Sequence, residues 1–242
     1  MFLLTRPARS VFSAIACSSF VSVVVAVDPP FNAEFELRGS AVFNSEDWHI
    51  NGTGAEPNDA KVGLAAEGLV FTLDGDSASK PSIQFKRNVL VGDGVTWAWF
   101  RIRIDDVDNV GFYLGLYSEE SNPKVNEPAY AAYFRKGETD TQVDLRTRDD
   151  DDGNTVADQF TVSDNVPFDL VIKIDPSAAN PVTFYWRNSP TGDWDEEGVS
   201  TSVPDSTTVG LHYSMLVFND DALGTSAMLI AEVFEHEAPT RD

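Results

Sequence analysis

The sequence predicts an all-β protein built as an antiparallel sandwich, and three observations carry that expectation. Short runs with a period of two recur along most of the chain, and Gly, Pro, Asn or Asp interrupts them every few residues. No window keeps a 3.6-residue apolar stripe, so no helix of ordinary length is expected. The runs follow one another at the spacing of an antiparallel sandwich rather than of βαβ units.

The first segment, residues 1–30, reads as an N-terminal arm or signal-like extension. Arg6 and Arg9 precede an apolar stretch from Val11 to Val27 that ends in a small-residue site at Val24-Val-Ala26. That order suits a secretory signal cleaved after Ala26. Four serines dilute the stretch, and Phe2-Leu-Leu4 lies before the arginines, so an uncleaved arm docked on a neighbour is the second reading. As a membrane span the stretch is too short and too polar. Residues 31–242 show no break in composition and are expected to form a single β-sandwich domain.

Within that domain Phe31–Leu37 is extended, and Gly68–Leu73 and Ser82–Lys86 alternate as strands do. The clearest pair is Trp97–Ile104 and Val110–Tyr117, hinged by Asp105-Asp-Val-Asp-Asn109. In the first of them Phe100, Ile102 and Ile104 share one face and Arg101 and Arg103 the other. Ala129–Arg135, Gln142–Thr147, Gln159–Val162, Phe168–Ile174, Val182–Trp186, Val209–Phe218 and Ala227–Phe234 complete the set. Asn51–Lys61, Ser118–Pro128 and Asn188–Asp205 read as long surface loops.

Composition narrows the function classes. Apolar residues make up 42% of the 242, with sixteen Phe, which is enough for a core and excludes global disorder. Acidic residues outnumber basic ones by 39 to 17, a formal charge of −22. Such a field repels phosphate backbones and anionic membranes, so no nucleic-acid partner is expected. It suits a solvated surface, basic partners or cations. A single cysteine, Cys17, leaves no intrachain disulfide, and stability has to come from packing.

Few side chains suggest chemistry. Clustered carboxylates favour hard cations, so Asp150 and Asp152 in Asp149-Asp-Asp-Asp-Gly-Asn154, and Asp105 and Asp108 in the hinge, are the candidate metal ligands, with Ca²⁺ the ion. An EF-hand register fails, because Arg148 and Gln159 would fill its first and twelfth places; a solvated hairpin tip is the competing reading. No other cofactor is expected. The Glu-x-Asp-x-Glu pattern that sandwich glucanases use for acid–base work is absent, and Glu232, Glu235 and Glu237 read as the outward face of a last strand. His49, His212 and His236 are isolated, and no Gly-x-Ser-x-Gly elbow occurs, so no catalytic residue is assigned. Trp194 in Thr191-Gly-Asp-Trp-Asp195 is the candidate ligand-binding residue, able to stack on a sugar ring or pack on its own loop.

Two resemblances add to this. Tyr133-Phe-Arg-Lys-Gly137 and Phe35-Glu-Leu-Arg38 resemble in part the Tyr-Phe-Lys-Ala-Gly-x-Tyr-x-Gln signature and Arg-x-Glu-Leu-Arg strand of alginate lyases, but the second signature Tyr and any Gln-x-His strand are missing. More of the chain is covered by the succession Phe100-Arg-Ile-Arg-Ile104, Asn109-Val-Gly-Phe-Tyr-Leu-Gly115, Ala132-Tyr-Phe-Arg-Lys136, Phe168-Asp-Leu-Val-Ile-Lys-Ile-Asp175, Val182-Thr-Phe-Tyr185, Phe218-Asn-Asp-Asp-Ala222 and Leu229-Ile-Ala-Glu-Val233. That order resembles a family of tailed-phage virion proteins with a concanavalin A-like jelly-roll sandwich. It implies a non-enzymatic virion structural or capsid-decoration protein, located on the virion, whose partners are other virion proteins or copies of itself. The alternative is a secreted carbohydrate-binding module or polysaccharide-active enzyme of the same fold, with surface glycans as its partners.

Overall fold

Strand follows strand in the computed structural model, which describes residues 48–52, 61–65, 68–73, 81–89, 95–118, 127–150, 152–189, 191–204, 210–218 and 227–237. In chain order these are β1 (Trp48–Gly52), β2 (Lys61–Ala65), β3 (Gly68–Leu73), β4 (Pro81–Val89), β5 (Thr96–Ile104), β6 (Gly111–Tyr117), β7 (Tyr130–Lys136), β8 (Gln142–Asp149), β9 (Asp152–Thr161), β10 (Phe168–Ile174), β11 (Val182–Arg187), β12 (Asp195–Val199), β13 (Leu211–Phe218) and β14 (Ala227–Glu237). They form two seven-stranded sheets, ordered β1-β4-β13-β6-β7-β8-β9 and β12-β11-β10-β5-β14-β3-β2. All pairings are antiparallel. The arm at residues 1–30, with Cys17, and the extended Phe31–Leu37 lie outside the described residues.

Alternation builds the core. From one sheet Phe112, Leu114, Leu116, Phe134, Leu145 and Phe160 point inward, and from the other Phe100, Ile102, Ile104, Leu170, Ile172 and Phe184 meet them, all buried. Rings interlock across the gap: Phe134 meets Phe184 edge-on at 5.2 Å and Phe160 stacks on Trp186 at 5.4 Å. One polar tie crosses as well, the Tyr213 hydroxyl donating to the Trp97 carbonyl at 2.8 Å.

Three expectations change. β5 and β6 are not a hairpin; they belong to different sheets, and the Asp105–Asn109 segment is a crossover containing one 3-10 turn, Val107–Asn109. The apolar sides of both strands face one core, which a hairpin within one sheet would equally allow, so alternation could not distinguish the two. The expected loop Asn188–Asp205 contains β12, an edge strand whose Asp195-Glu-Glu-Gly sequence hides its identity because it pairs on one side with β11. Finally, Glu232 stands opposite Arg101 while Glu235 and Glu237 stand opposite Ala98 and Thr96, so these three positions do not share a face.

The crossover is stapled from both sides. The Val107 amide donates to Asp164 at 2.7 Å, and the Asn165 amide donates to the Ile104 carbonyl at 2.6 Å, joining this crossover to the one between β9 and β10. Alternation also sends Lys136 inward, opposite Phe112 and wholly buried. Its ammonium donates to the carbonyls of Val107 (2.6 Å), Val110 (2.7 Å), Gly137 (2.9 Å) and Glu138 (3.2 Å).

On the outer face of β6 two glycines make room for their neighbours, Gly111 for a ring and Gly115 for the adjoining strand. A Cβ at Gly115 would lie 2.3 Å from the Ala132 carbonyl oxygen and 2.6 Å from the Tyr133 Cβ, and one at Gly111 would enter the Phe218 ring at 2.2 Å. Gly115→Ala therefore forces β6 from β7 and is expected to destabilise the protein by about 1–3 kcal/mol, the usual cost of overpacking. Urea unfolding of the two proteins measures it, and an unchanged midpoint would show that the strands yield freely.

Candidate functional site

Positions of outward parity on β6, β7, β8 and β13 gather at the middle of the β1-β4-β13-β6-β7-β8-β9 sheet. β6 contributes Tyr113 and Tyr117, β7 Tyr133 and Arg135, β8 Asp144, Arg146 and Arg148, and β13 Ser214 and Phe218. Register brings Tyr113 opposite Arg135, Gly115 opposite Tyr133, and Tyr133 opposite Arg146. The missing side chain of Gly115 lets the Ala132–Tyr133 stretch of β7 come close to β6.

The aromatic groups form a connected cluster. Tyr113 lies 5.5 Å from Tyr133 and meets the edge of Phe218 at 5.4 Å, and Tyr117 meets Tyr133 at 6.1 Å. Tyr117 and Tyr133 are buried although they project away from the core between the sheets, whereas Tyr113 is half-buried. Burial pushes all three phenols above their ordinary value of 10.

Charged pairs frame the cluster. Glu127, at the start of the described stretch before β7, accepts from Arg146 at 2.7 Å and from Arg148, and the Tyr133 hydroxyl donates to it at 3.4 Å. Arg135 donates to Asp144 at 2.7 Å. The other oxygen of Asp144 accepts from the Asp158 amide at 3.0 Å, closing a bulge in β9 where Asp158 has φ 56°. Burial would raise the Glu127 carboxyl, but the hydrogen bonds and charges of Arg146 and Arg148 hold it below its ordinary value. Arg135, Glu127 and Asp144 keep 31%, 30% and 20% of their side chains open to solvent, and with the half-buried Tyr113 they are the more open groups of this face.

None of the sequence candidates falls here. Asp150 and Asp152 are exposed at the tip of the β8–β9 hairpin, where Asp150 has φ 52° and its carbonyl accepts from Arg148 at 2.9 Å. Asp108 is exposed in the crossover, and the Asp105 carbonyl accepts from the Asn165 side chain at 3.4 Å. Among the described residues no group of three or more His, Cys, Asp or Glu could hold a metal ion. Trp194 lies in the loop just before β12, beside the other sheet, with the Arg187 guanidinium 4.4 Å from its ring centre. Arg187 in turn donates to Asp169 at 2.6 Å, and Arg101 donates to the same carboxylate at 2.8 Å, so Asp169, 0% exposed, is bracketed by two cations. Reading the outward parity of β6, β7 and β8 side by side would have exposed the tyrosine and arginine cluster; reading each strand alone does not.

No protein-family model and no curated protein matches the sequence. Solved structures do match in shape. Lectin II from Ulex europaeus superposes with a TM-score of 0.53 at 13% identity over 80% of this chain and 94% of its own. The carbohydrate recognition domain of Emp46p, in a metal-free form, gives 0.53 at 13% identity over 82% and 94%. An alginate lyase from Pseudomonas aeruginosa gives 0.50 at 13% identity over 81% and 100%. At such identities the likeness is one of fold alone, and it lends no support to the virion role that the sequence resemblance implies.

Because Glu127 is held below its ordinary 4.5, its contribution to stability is complete above that pH and is lost as pH falls through the lower, folded value. Glu127→Gln is therefore expected to be less stable than the parent at neutral pH, with the difference shrinking in acid. Denaturant titrations across the acid range test this, and a difference that grows as pH falls would contradict the assignment. The sandwich itself, two antiparallel sheets with lectin-like neighbours, is a concanavalin A-like jelly roll.

Proposed function

We propose that this protein is a carbohydrate-binding module whose ligand lies on the outer face of the sheet that holds β6, β7 and β8, over Tyr113, Arg135 and Asp144. The observation that carries the reading is the partly open Tyr113 ring beside the partly open Arg135–Asp144 pair, resting on a covered layer of Tyr117 and Tyr133. A sugar presents an apolar C–H face and a ring of hydroxyls. An aromatic face takes the first, and a guanidinium–carboxylate pair offers both donors and acceptors to the second. The carbohydrate-recognition domain and the lectin among the structural neighbours support this choice over display on a virion, which rests on sequence resemblance alone.

Binding without turnover fits the same groups. A lyase needs a phenol that gives up its proton, and a hydrolase needs a carboxyl that holds one near neutrality. Here burial raises the tyrosines, and the arginine bonds keep Glu127 ionised. A phenol that keeps its proton and a carboxylate already bound by two arginines suit hydrogen bonding to a ligand.

A glycan array followed by calorimetry on the best ligand tests the proposal. Tyr113→Ala and Arg135→Ala are each expected to weaken binding by roughly tenfold, the scale of one charged hydrogen bond or ring contact, while Trp194→Ala leaves it unchanged. Failure of every glycan to bind, or loss of binding in Trp194→Ala with Tyr113→Ala unaffected, would overturn it. Cleavage products released from the bound polysaccharide would overturn the non-enzymatic part.

A further inference from the structure

The buried ammonium of Lys136 has no part in the glycan face, and its surroundings are those of an ion. Four backbone carbonyl oxygens, from two separate turns, converge on Nζ at 2.6–3.2 Å. Three protons cannot give four independent hydrogen bonds, so the group is coordinated as much as it is bonded. The side chain is 0% exposed, so no water shell completes it. Asp140, Asp108, Glu138 and Asp106 all act on it with attractive charge. Two of these, Asp106 and Asp108, belong to the acidic crossover that the sequence marks as a cation site. The Asp106 carboxylate already accepts from the Asn109 amide side chain at 2.7 Å, which leaves the ammonium to neutralise the turn as a whole.

We infer that the carbonyl cage of the Asp105–Val110 crossover and the Gly137–Glu138 turn is a cation site to which the chain supplies its own ion, the Lys136 ammonium. The crossover then needs no dissolved metal. The class of ion it would accept in place of the lysine is small and monovalent, ammonium or potassium, because neutral carbonyl oxygens replace the hydration shell of a single charge without supplying the carboxylate ligands that Ca²⁺ takes. Burial pushes the amine down from 10.5 to about 8, which leaves it largely protonated at neutral pH.

Cutting back the side chain while keeping the cage tests this. Thermal unfolding of the parent, Lys136→Ala and Lys136→Met is followed at constant ionic strength in sodium, potassium, ammonium, calcium or a chelator. The parent is expected to be indifferent to chelator and to calcium. Lys136→Ala melts lower and regains stability saturably with ammonium or potassium, and Lys136→Met, whose thioether fills the space, melts lower without recovery. A parent that loses stability in chelator, or a folded Lys136→Ala indifferent to both ions, overturns the inference. Should Lys136→Ala fail to fold, acetylation of the parent decides: Lys136 has to stay unmodified until global unfolding, and labelling at the rate of the other lysines overturns the cage.

Discussion

The ammonium of Lys136 sits where the two sheets are joined, and much of the architecture depends on it. It closes the turn after β7 and the crossover from β5 to β6 with the same four bonds. An unpaired charge in that place would be severely destabilising, so the cage and the lysine are a single unit: either without the other leaves buried polar groups unsatisfied. The Asp164 and Asn165 bonds tie the second crossover to the first, so the corner of the sandwich is held by hydrogen bonds where the core is held by rings.

With the corner fixed, the register of β6 against β7 follows, and register makes the outer face. Gly111 and Gly115 carry no side chain where the Phe218 ring and the Ala132–Tyr133 stretch of β7 approach them. The arginines of β8 then find Glu127 and Asp144 beside them. In a chain of charge −22 this is how arginines come to be concentrated: Arg135 pairs with Asp144, while Arg146 and Arg148 share Glu127. The opposite sheet uses the same chemistry for another end. Asp169 between Arg101 and Arg187 is sealed from solvent, and Trp194 is occupied by Arg187.

The local part of this was legible in the sequence. Gly68–Leu73 and Phe168–Ile174 have the bounds expected of them, and the faces of β5 follow its alternation. What was not legible is non-local. Alternation tells which side of a strand is dry but not which strand lies beside it, so β5 and β6 looked like a hairpin. Edge strands such as β12 need few apolar residues and leave little trace. The tyrosine–arginine face depends on register among β6, β7, β8 and β13, and Asp169 meets an arginine 68 residues away. Acidic runs, by contrast, are conspicuous in a sequence and proved to be a hairpin tip and a crossover.

An NMR titration of the full chain with its best-binding oligosaccharide locates the ligand. The amide and side-chain signals of Tyr113, Tyr133, Arg135 and Asp144 are expected to move together and saturate together, while those of Trp99, Arg187 and Trp194 stay in place. Shifts gathered around Trp194 beside the other sheet, with the tyrosine cluster undisturbed, would contradict that location.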